Sequence, residues 1–114
     1  MLFRSDLENA SPLLQPGGIM ALDDAFNFGT PGVIEGITDF FREAKPALAP
    51  FAVCYNKLFV TTPDYHERYV RATLDFLDEA IWLPTCERTL EYRRGNQVGA
   101  FTPTMFGYEV VPFA

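Results

Sequence analysis

The sequence predicts an α/β fold on three observations. A short, wholly apolar run, Ile19-Met20-Ala21-Leu22, stands between a Pro-Gly-Gly turn and two aspartates. Stretches with helical periodicity flank it, and a second apolar, β-branched and aromatic stretch follows from Phe51 to Thr62. Strand, helix, strand, helix and closing strand, taken in that order, are the pattern of a layered α/β domain with its first strands parallel.

The elements follow in order. Leu2 or Phe3, Leu7, Ala10, Leu13 and Leu14 recur at three- to four-residue spacing, the period of a helix from Leu2 to Leu14 with one face on a core. Pro16, Gly17 and Gly18 end it. Ile19 to Leu22 contains no polar residue, which suits a strand covered on both faces in a parallel sheet. Thr30 and Pro31 serve as N-cap and first helical residue. The stripe Val33, Ile34, Ile37, Phe40 and Phe41 then carries a helix to Lys45-Pro46.

Phe51 to Thr62 reads as one strand, bent or bulged at Asn56. Thr62-Pro63 opens a helix from Asp64 to Ala80. Its inner side is Tyr65, Tyr69, Ala72, Thr73, Phe76, Leu77 and Ala80, and its outer side pairs Asp64 with Arg68 and Glu67 with Arg71. Past Trp82 and Pro84, Thr89 to Arg93 suits a strand, Gly95-Asn96 a turn, and Phe106 to Phe113 a closing strand. A sheet this small leaves an edge naked unless further strands lie beside it.

Composition narrows the functional classes. With 114 residues, 48% hydrophobic and 15% aromatic, the chain is one domain with ample material for a core. A formal net charge of −6 offers no basic stripe for phosphates, so nucleic acid and anionic membrane are excluded as partners and a small molecule or another protein is expected. No apolar run approaches the roughly 20 residues of a membrane span. Arg4, Asp6 and Glu8 fall where a signal peptide would be apolar, so a cytoplasmic location is expected. Cys54 and Cys86 lie far apart and outside any CxxC pattern, which makes both free thiols.

Chemistry concentrates at Asp23-Asp24. In open α/β sheets ligands bind beyond the carboxyl ends of the strands, where this pair sits. Successive strand residues face opposite sides, so the two carboxylates act together only if the chain is already leaving the strand. Two neighbouring carboxylates repel, and a cation or hydrogen-bond donors must neutralise them. Taken alone, the pair also suits an ordinary solvated turn, since aspartate is common there. A response-regulator receiver would need a later phosphoacceptor aspartate and a strand-end lysine that cannot be placed. Asn27 is either a substrate contact or a turn residue. Lys57 can snorkel from a strand, and His66, the single histidine, falls in the first turn of an exposed helix as a surface residue.

The stretch Asp6-Leu7, Leu14-Gln15-Pro16-Gly17-Gly18-Ile19-Met20-Ala21-Leu22-Asp23-Asp24-Ala25-Phe26-Asn27 and Pro31-Gly32-Val33-Ile34-Glu35-Gly36, followed by Asn56-Lys57-Leu58-Phe59, carries a wider likeness. It resembles class I S-adenosylmethionine-dependent methyltransferases, in the metal-dependent O-methyltransferase branch that includes macrocin O-methyltransferase-like and catechol-type enzymes. The match covers residues 6 to about 80, and Phe106-Gly107-Tyr108-Glu109-Val110-Val111 resembles the family's antiparallel last strand over a short span.

The resemblance implies the C-terminal half of a Rossmann-like sheet with an antiparallel last strand, in which a Pro-Gly-Gly turn leads into the fifth of seven strands. It implies methyl transfer from S-adenosylmethionine to a small-molecule acceptor, with Asp23 and Asp24 as Mg²⁺ ligands and Asn27 near the substrate. The family's Gly-x-Gly cofactor loop, its acidic ribose contact and a third metal carboxylate have no counterpart: Gly17-Gly18 precedes a strand, and Gly95 and Gly99 follow no convincing one. The chain is therefore expected to be a partial domain, inactive alone, that pairs with its missing half or forms a homo-oligomer. The alternative is a catalytically silent α/β module that uses its sheet edge for interaction or dimerisation.

Overall fold

Pro12 sets the length of the first helix. The computed structural model describes residues 2–27, 29–54, 56–79 and 103–112. Helix α1 spans Leu2–Ala10 and passes into a 3-10 turn at Ser11–Leu13 instead of continuing to Leu14. Proline at 12 has no N–H for the helical ladder, and its ring crowds the carbonyl one turn back. The change of geometry alters an expected core contact: Leu7 is buried at 2% exposure, whereas Leu13 turns outward at 79%.

Gln15-Pro16-Gly17-Gly18 then forms a turn closed by the Gly18 N–H on the Gln15 carbonyl at 2.8 Å. Gly17 has φ 81°, the left-handed geometry that a type II turn asks of its third residue. A Cβ there would meet the Tyr65 ring at 3.1 Å.

The main sheet contains β1 (Ile19–Leu22), β2 (Ala49–Cys54), β3 (Lys57–Thr61) and, later in the chain, β6 (Val111–Pro112), in the order β1-β3-β2-β6. Three expectations about it are corrected. First, β1 is not covered on both faces in a parallel pairing. It lies at the edge of the described sheet and pairs antiparallel with β3, Ile19 opposite Thr61 and Leu22 opposite Leu58. Leu22 is buried, while Ile19 is 51% exposed, because the Leu22 face of this edge strand packs in the core with Leu7 of the first helix and Ile37, Phe40 and Phe41 of the helix that follows.

Second, Phe51 to Thr62 is not one bent strand. It is a hairpin, β2 antiparallel to β3, with Cys54 opposite Lys57 and the reversal at Asn56. An irregularity does occur, between Pro50 and Ala52. Inserting one extra residue there suits proline, which has no N–H to give the ladder. Since β3 is antiparallel to both neighbours, β1 and β2 point the same way without pairing.

Third, Phe106 to Phe113 is not a single antiparallel strand. β4 (Thr104–Met105) and β5 (Tyr108–Glu109) pair as a small hairpin, and β6 then joins β2 in parallel, Ala52 opposite Val111. Phe106 and Gly107, at φ 53° and 87°, both take the left-handed geometry of a tight two-residue hairpin turn. Phe106 is held there by stacking on Phe41, centroids 4.2 Å apart.

Helices cover both faces. α2 (Pro31–Ala44) begins at Thr30 and Pro31 as expected, although the Thr30 side chain makes no capping hydrogen bond, and it ends at Lys45 in the left-handed region. Its Ile37, Phe40 and Phe41 pack with Leu7, Leu22, Leu48, Leu58 and Val60 in one core. α3 (His66–Glu79), entered through a 3-10 turn at Pro63–Tyr65, packs Val70 and Leu77 against Phe51, Ala52 and Val111 in a second. Burial of each large apolar side chain contributes about 1.5–3 kcal/mol. The alternation Leu58, Val60 on one face and Phe59 on the other is what divides the two cores.

The inner side of α3 differs from the expected stripe. Val70 and Leu77 are the buried residues, while Ala72 is exposed and Phe76 is 59% exposed. The Glu67–Arg71 pair forms at 3.0 Å, and Arg68 places its guanidinium over the Tyr65 ring. Trp82, Cys86, the expected strand Thr89 to Arg93 and the Gly95-Asn96 turn lie outside the described residues. Among the described residues no helix is long and apolar enough to cross a membrane.

Candidate functional site

Register delivers the site. The β1–β3 ladder pairs Leu22 with Leu58, so its next step sets Asp23 against Lys57 and Asp24 against Asn56. The ladder ends there because Asp24 adopts φ 57°, a left-handed turn that aspartate tolerates better than most side chains. That turn brings both carboxylates to the same end of the sheet. The Ala25 N–H still reaches the Asn56 carbonyl at 2.8 Å, and Ala25 is buried at 1% exposure, so the crossing from β1 to the next loop is anchored.

Four N–H donors converge on the pair. Lys57 Nζ lies 2.8 Å from Asp23 Oδ1, which also accepts the Asp24 backbone N–H at 3.0 Å. Asn27 Nδ2 and Asn56 Nδ2 both donate to Asp24 Oδ1 at 3.1 Å. Asn27 is oriented by its other end, since its Oδ1 accepts the Gly29 N–H at 2.8 Å. Its backbone accepts from Thr30 at 3.1 Å, tying the cluster to the start of α2.

Electrostatics follow from these contacts. The Lys57 ammonium, and then the Asp24 N–H, hold the Asp23 carboxyl below the usual carboxylate range. Reciprocally, the Asp23 carboxylate holds the Lys57 ammonium above its ordinary value. The side chains of Lys57 and Asp23 are 47% and 64% exposed, so the pair meets solvent and is screened by salt.

No protein-family model, curated protein or solved structure matches this chain.

The expected site residues Asp23, Asp24 and Asn27 are thus together, and two residues without an assigned role join them. Asn56 and Lys57 supply half of the donors. In the sequence they stand out as a polar pair interrupting an otherwise apolar stretch, which a solvent-facing bend explains equally well, and they fall within the stretch of family resemblance without a role attached to them.

The donor types suit a hard cation: carboxylates and carboxamides offer oxygens of the kind that Mg²⁺ and Ca²⁺ take. Their present orientation does not. Both Asp oxygens in contact accept N–H groups, both carboxamides turn their NH₂ toward Asp24, and an ammonium stands on Asp23. Among the described residues, no three His, Cys, Asp or Glu side chains gather into a metal-holding group.

His66 is not the surface residue its position predicts. It is half-buried and donates from Nε2 to the Glu109 carbonyl at 2.7 Å, with its ring 5.0 Å from that of Tyr108. The β4–β5 hairpin folds back over the start of α3 and covers it. Cys54 is a free thiol whose partial burial pushes its pKa up, against the opposing pull of the Lys57 ammonium. Cys86 lies outside the described residues.

Proposed function

We propose that this chain is part of an S-adenosylmethionine-dependent methyltransferase that O-methylates a small molecule at the Asp23–Asp24 end of the sheet. The observation that supports this is convergence. Asp23, Asp24, Asn27, Asn56 and Lys57 all belong to the stretch that resembles that family, and contacts of 2.8–3.1 Å gather them beyond the carboxyl end of β1. A strand antiparallel to its neighbour, β3, lies directly beside β1, which suits a sheet of the kind the resemblance implies, although the antiparallel strand is not the terminal one.

The chemistry needs orientation more than reactive groups. The acceptor oxygen attacks the sulfonium methyl, a C–O bond forms as the C–S bond breaks, and the hydroxyl proton leaves to solvent. No covalent intermediate with the protein is required. Holding both reactants in line supplies on the order of 7–11 kcal/mol. In this chain two carboxamides hold Asp24 and an ammonium holds Asp23, contacts that would orient the rim proposed to face the acceptor. A bound Mg²⁺, if the family's metal is used, would hold the acceptor oxygens and lower the hydroxyl's pKa. Its holders would be Asp23 and Asp24, with Asn27 beside them.

The donor pocket is proposed to come from strands beside β1, whose outer edge pairs with no strand among the described residues. A second reading, a catalytically silent pairing module, is favoured by one feature. A groove of about 290 Å³ lined by Ile19, Phe51, Tyr69 and Phe76 opens beside that same edge, and Ile19 and Phe76 are over half exposed. Calorimetric titration of the 114-residue chain with S-adenosylmethionine, with and without Mg²⁺, tests the partial-domain form of the proposal. No saturable heat is expected from the chain alone, and saturable binding by the isolated chain would sink it.

A further inference from the structure

The groove beside β1 combines two features of one surface. Phe51 and Leu77 in its lining are buried, whereas Ile19 and Phe76 are 51% and 59% exposed. The outer edge of β1, which Ile19 begins, pairs with no strand among the described residues. The same patch therefore presents an outstanding phenyl ring and, at about 290 Å³, a cavity with room for one. A patch that carries both knob and hole is self-complementary, as a two-fold pairing of identical chains requires. Charge along α3 selects the same partner. Ala72 marks the boundary, since it lines both the groove and a charged strip that includes Arg68 and Asp75. Arg68, Ala72, Asp75 and Glu79 are spaced four, three and four apart, so they share one helix face, and all four are exposed. The strip is bipolar, with its cation before Ala72 and its carboxylates after it.

We propose that a second copy of this chain covers the face, with the two α3 helices antiparallel about a two-fold axis near Ala72 and Phe76 of each copy in the groove of the other. At a rise of 1.5 Å per residue, Arg68 stands about 6 Å from that axis on one side, and Asp75 and Glu79 about 4.5 and 10.5 Å on the other. The two-fold reversal thus sets Arg68 of each copy between Asp75 and Glu79 of the other. A parallel arrangement would stack like charges instead. A net charge of −6 on each chain opposes association at long range, so the apolar contact supplies the strength and the charged strip the orientation. The inference goes beyond the methyl-transfer reading and concerns the 114-residue chain, in which the strands proposed to lie beside β1 do not compete for this face. Its test reads mass, so it fails independently of any result on methyl transfer.

Sedimentation equilibrium of the 114-residue chain should give twice its 12.9 kDa mass at micromolar concentration. Phe76→Asp should weaken the dimer about 30-fold or more, the loss expected at the centre of an interface. Ile19→Lys should act alike, with far-UV circular dichroism as the check that each variant is folded. Arg68→Glu brings like charges together and should weaken the dimer about 5-fold, and adding Asp75→Arg should restore part of the loss. Leu13 is 79% exposed but does not line the groove, so Leu13→Ser should leave the mass unchanged. A monomeric wild type, which would leave the face to a different polypeptide, overturns the proposal. So does a dimer that survives both Phe76→Asp and Ile19→Lys, or one in which the Arg68→Glu, Asp75→Arg double variant binds no tighter than Arg68→Glu alone.

Discussion

Asn56 Nδ2 donates to Asp24 Oδ1 at 3.1 Å, joining residues 32 positions apart at the point where the β1–β3 ladder ends. The contact ties the loop between β1 and α2 to the β2–β3 turn, and Asn27 closes the same oxygen from the other side. Replacing Asn56 with alanine should lower stability by about 1–2 kcal/mol, the range for a hydrogen bond to a charged group at a half-exposed site. Asn56→Asp should cost more, because it sets a third carboxylate against Asp24. Urea denaturation of the two variants gives the ranking, and an aspartate variant as stable as the wild type would contradict the contact's role.

The Asp23–Lys57 pair gives a pH signature. Asp23 titrates below its ordinary value, so its contribution is present at neutral pH and is lost as pH falls through the folded-state pKa. Lys57 titrates above its ordinary value, so its contribution is full at neutral pH and is lost as pH rises through the folded-state pKa. The stability difference between wild type and Lys57→Met should therefore be flat between about pH 5 and 9 and shrink outside that window. It should also shrink in high salt. Thermal melts across pH measure it, and a difference that grows toward acid would rule the pair out.

Gly17 is expected to resist substitution. Its φ of 81° and the Tyr65 ring 3.1 Å from where a Cβ would stand both oppose alanine. Gly17→Ala should cost about 1–3 kcal/mol, and it should also loosen the contact in which the Tyr69 hydroxyl donates to the Gly17 carbonyl. Because that turn sets where β1 begins, hydrogen exchange at Ile19 to Leu22 should accelerate in the variant, and unchanged exchange would detach the turn from the strand.

His66→Ala removes the donor to the Glu109 carbonyl, a bond of 2.7 Å that pins the β4–β5 hairpin. The expected cost is about 1 kcal/mol, and near-ultraviolet circular dichroism should report altered packing of Tyr108. A variant with unchanged stability and spectrum would mean the hairpin docks without it.

These outcomes bear on how much was legible beforehand. The run Ile19 to Leu22, the acidic pair that ends it and the helix begun by Thr30-Pro31 could all be placed, since each carries a local signal in apolar run length, turn residues or capping position. Strand pairing could not. A hairpin reversing at Asn56 and one bent strand share the same apolar pattern, and no Asn-Gly or Asp-Gly marks the turn. The antiparallel neighbour of β1 was therefore invisible, and with it the reason Lys57 faces Asp23. Phe106 likewise carries a strand signal in the sequence, but its left-handed turn geometry is sustained by stacking on Phe41, a contact between residues 65 positions apart. Asn27 takes its expected place from the same resemblance as Asp23 and Asp24, whereas Asn56 and Lys57 needed the fold.

The central proposal, methyl transfer at this acidic pair, is tested most directly in the complete domain it calls for, this chain together with the further strands proposed to lie beside β1. Transfer of labelled methyl from S-adenosylmethionine to at least one of a panel of small hydroxyl acceptors, catechols among them, should occur with the wild type. Asp24→Ala should lower it about 100-fold or more, the loss seen when a positioning group is removed, while donor affinity stays within about threefold. Wild-type turnover by Asp24→Ala, or a complete domain that fails to bind S-adenosylmethionine, would contradict the proposal.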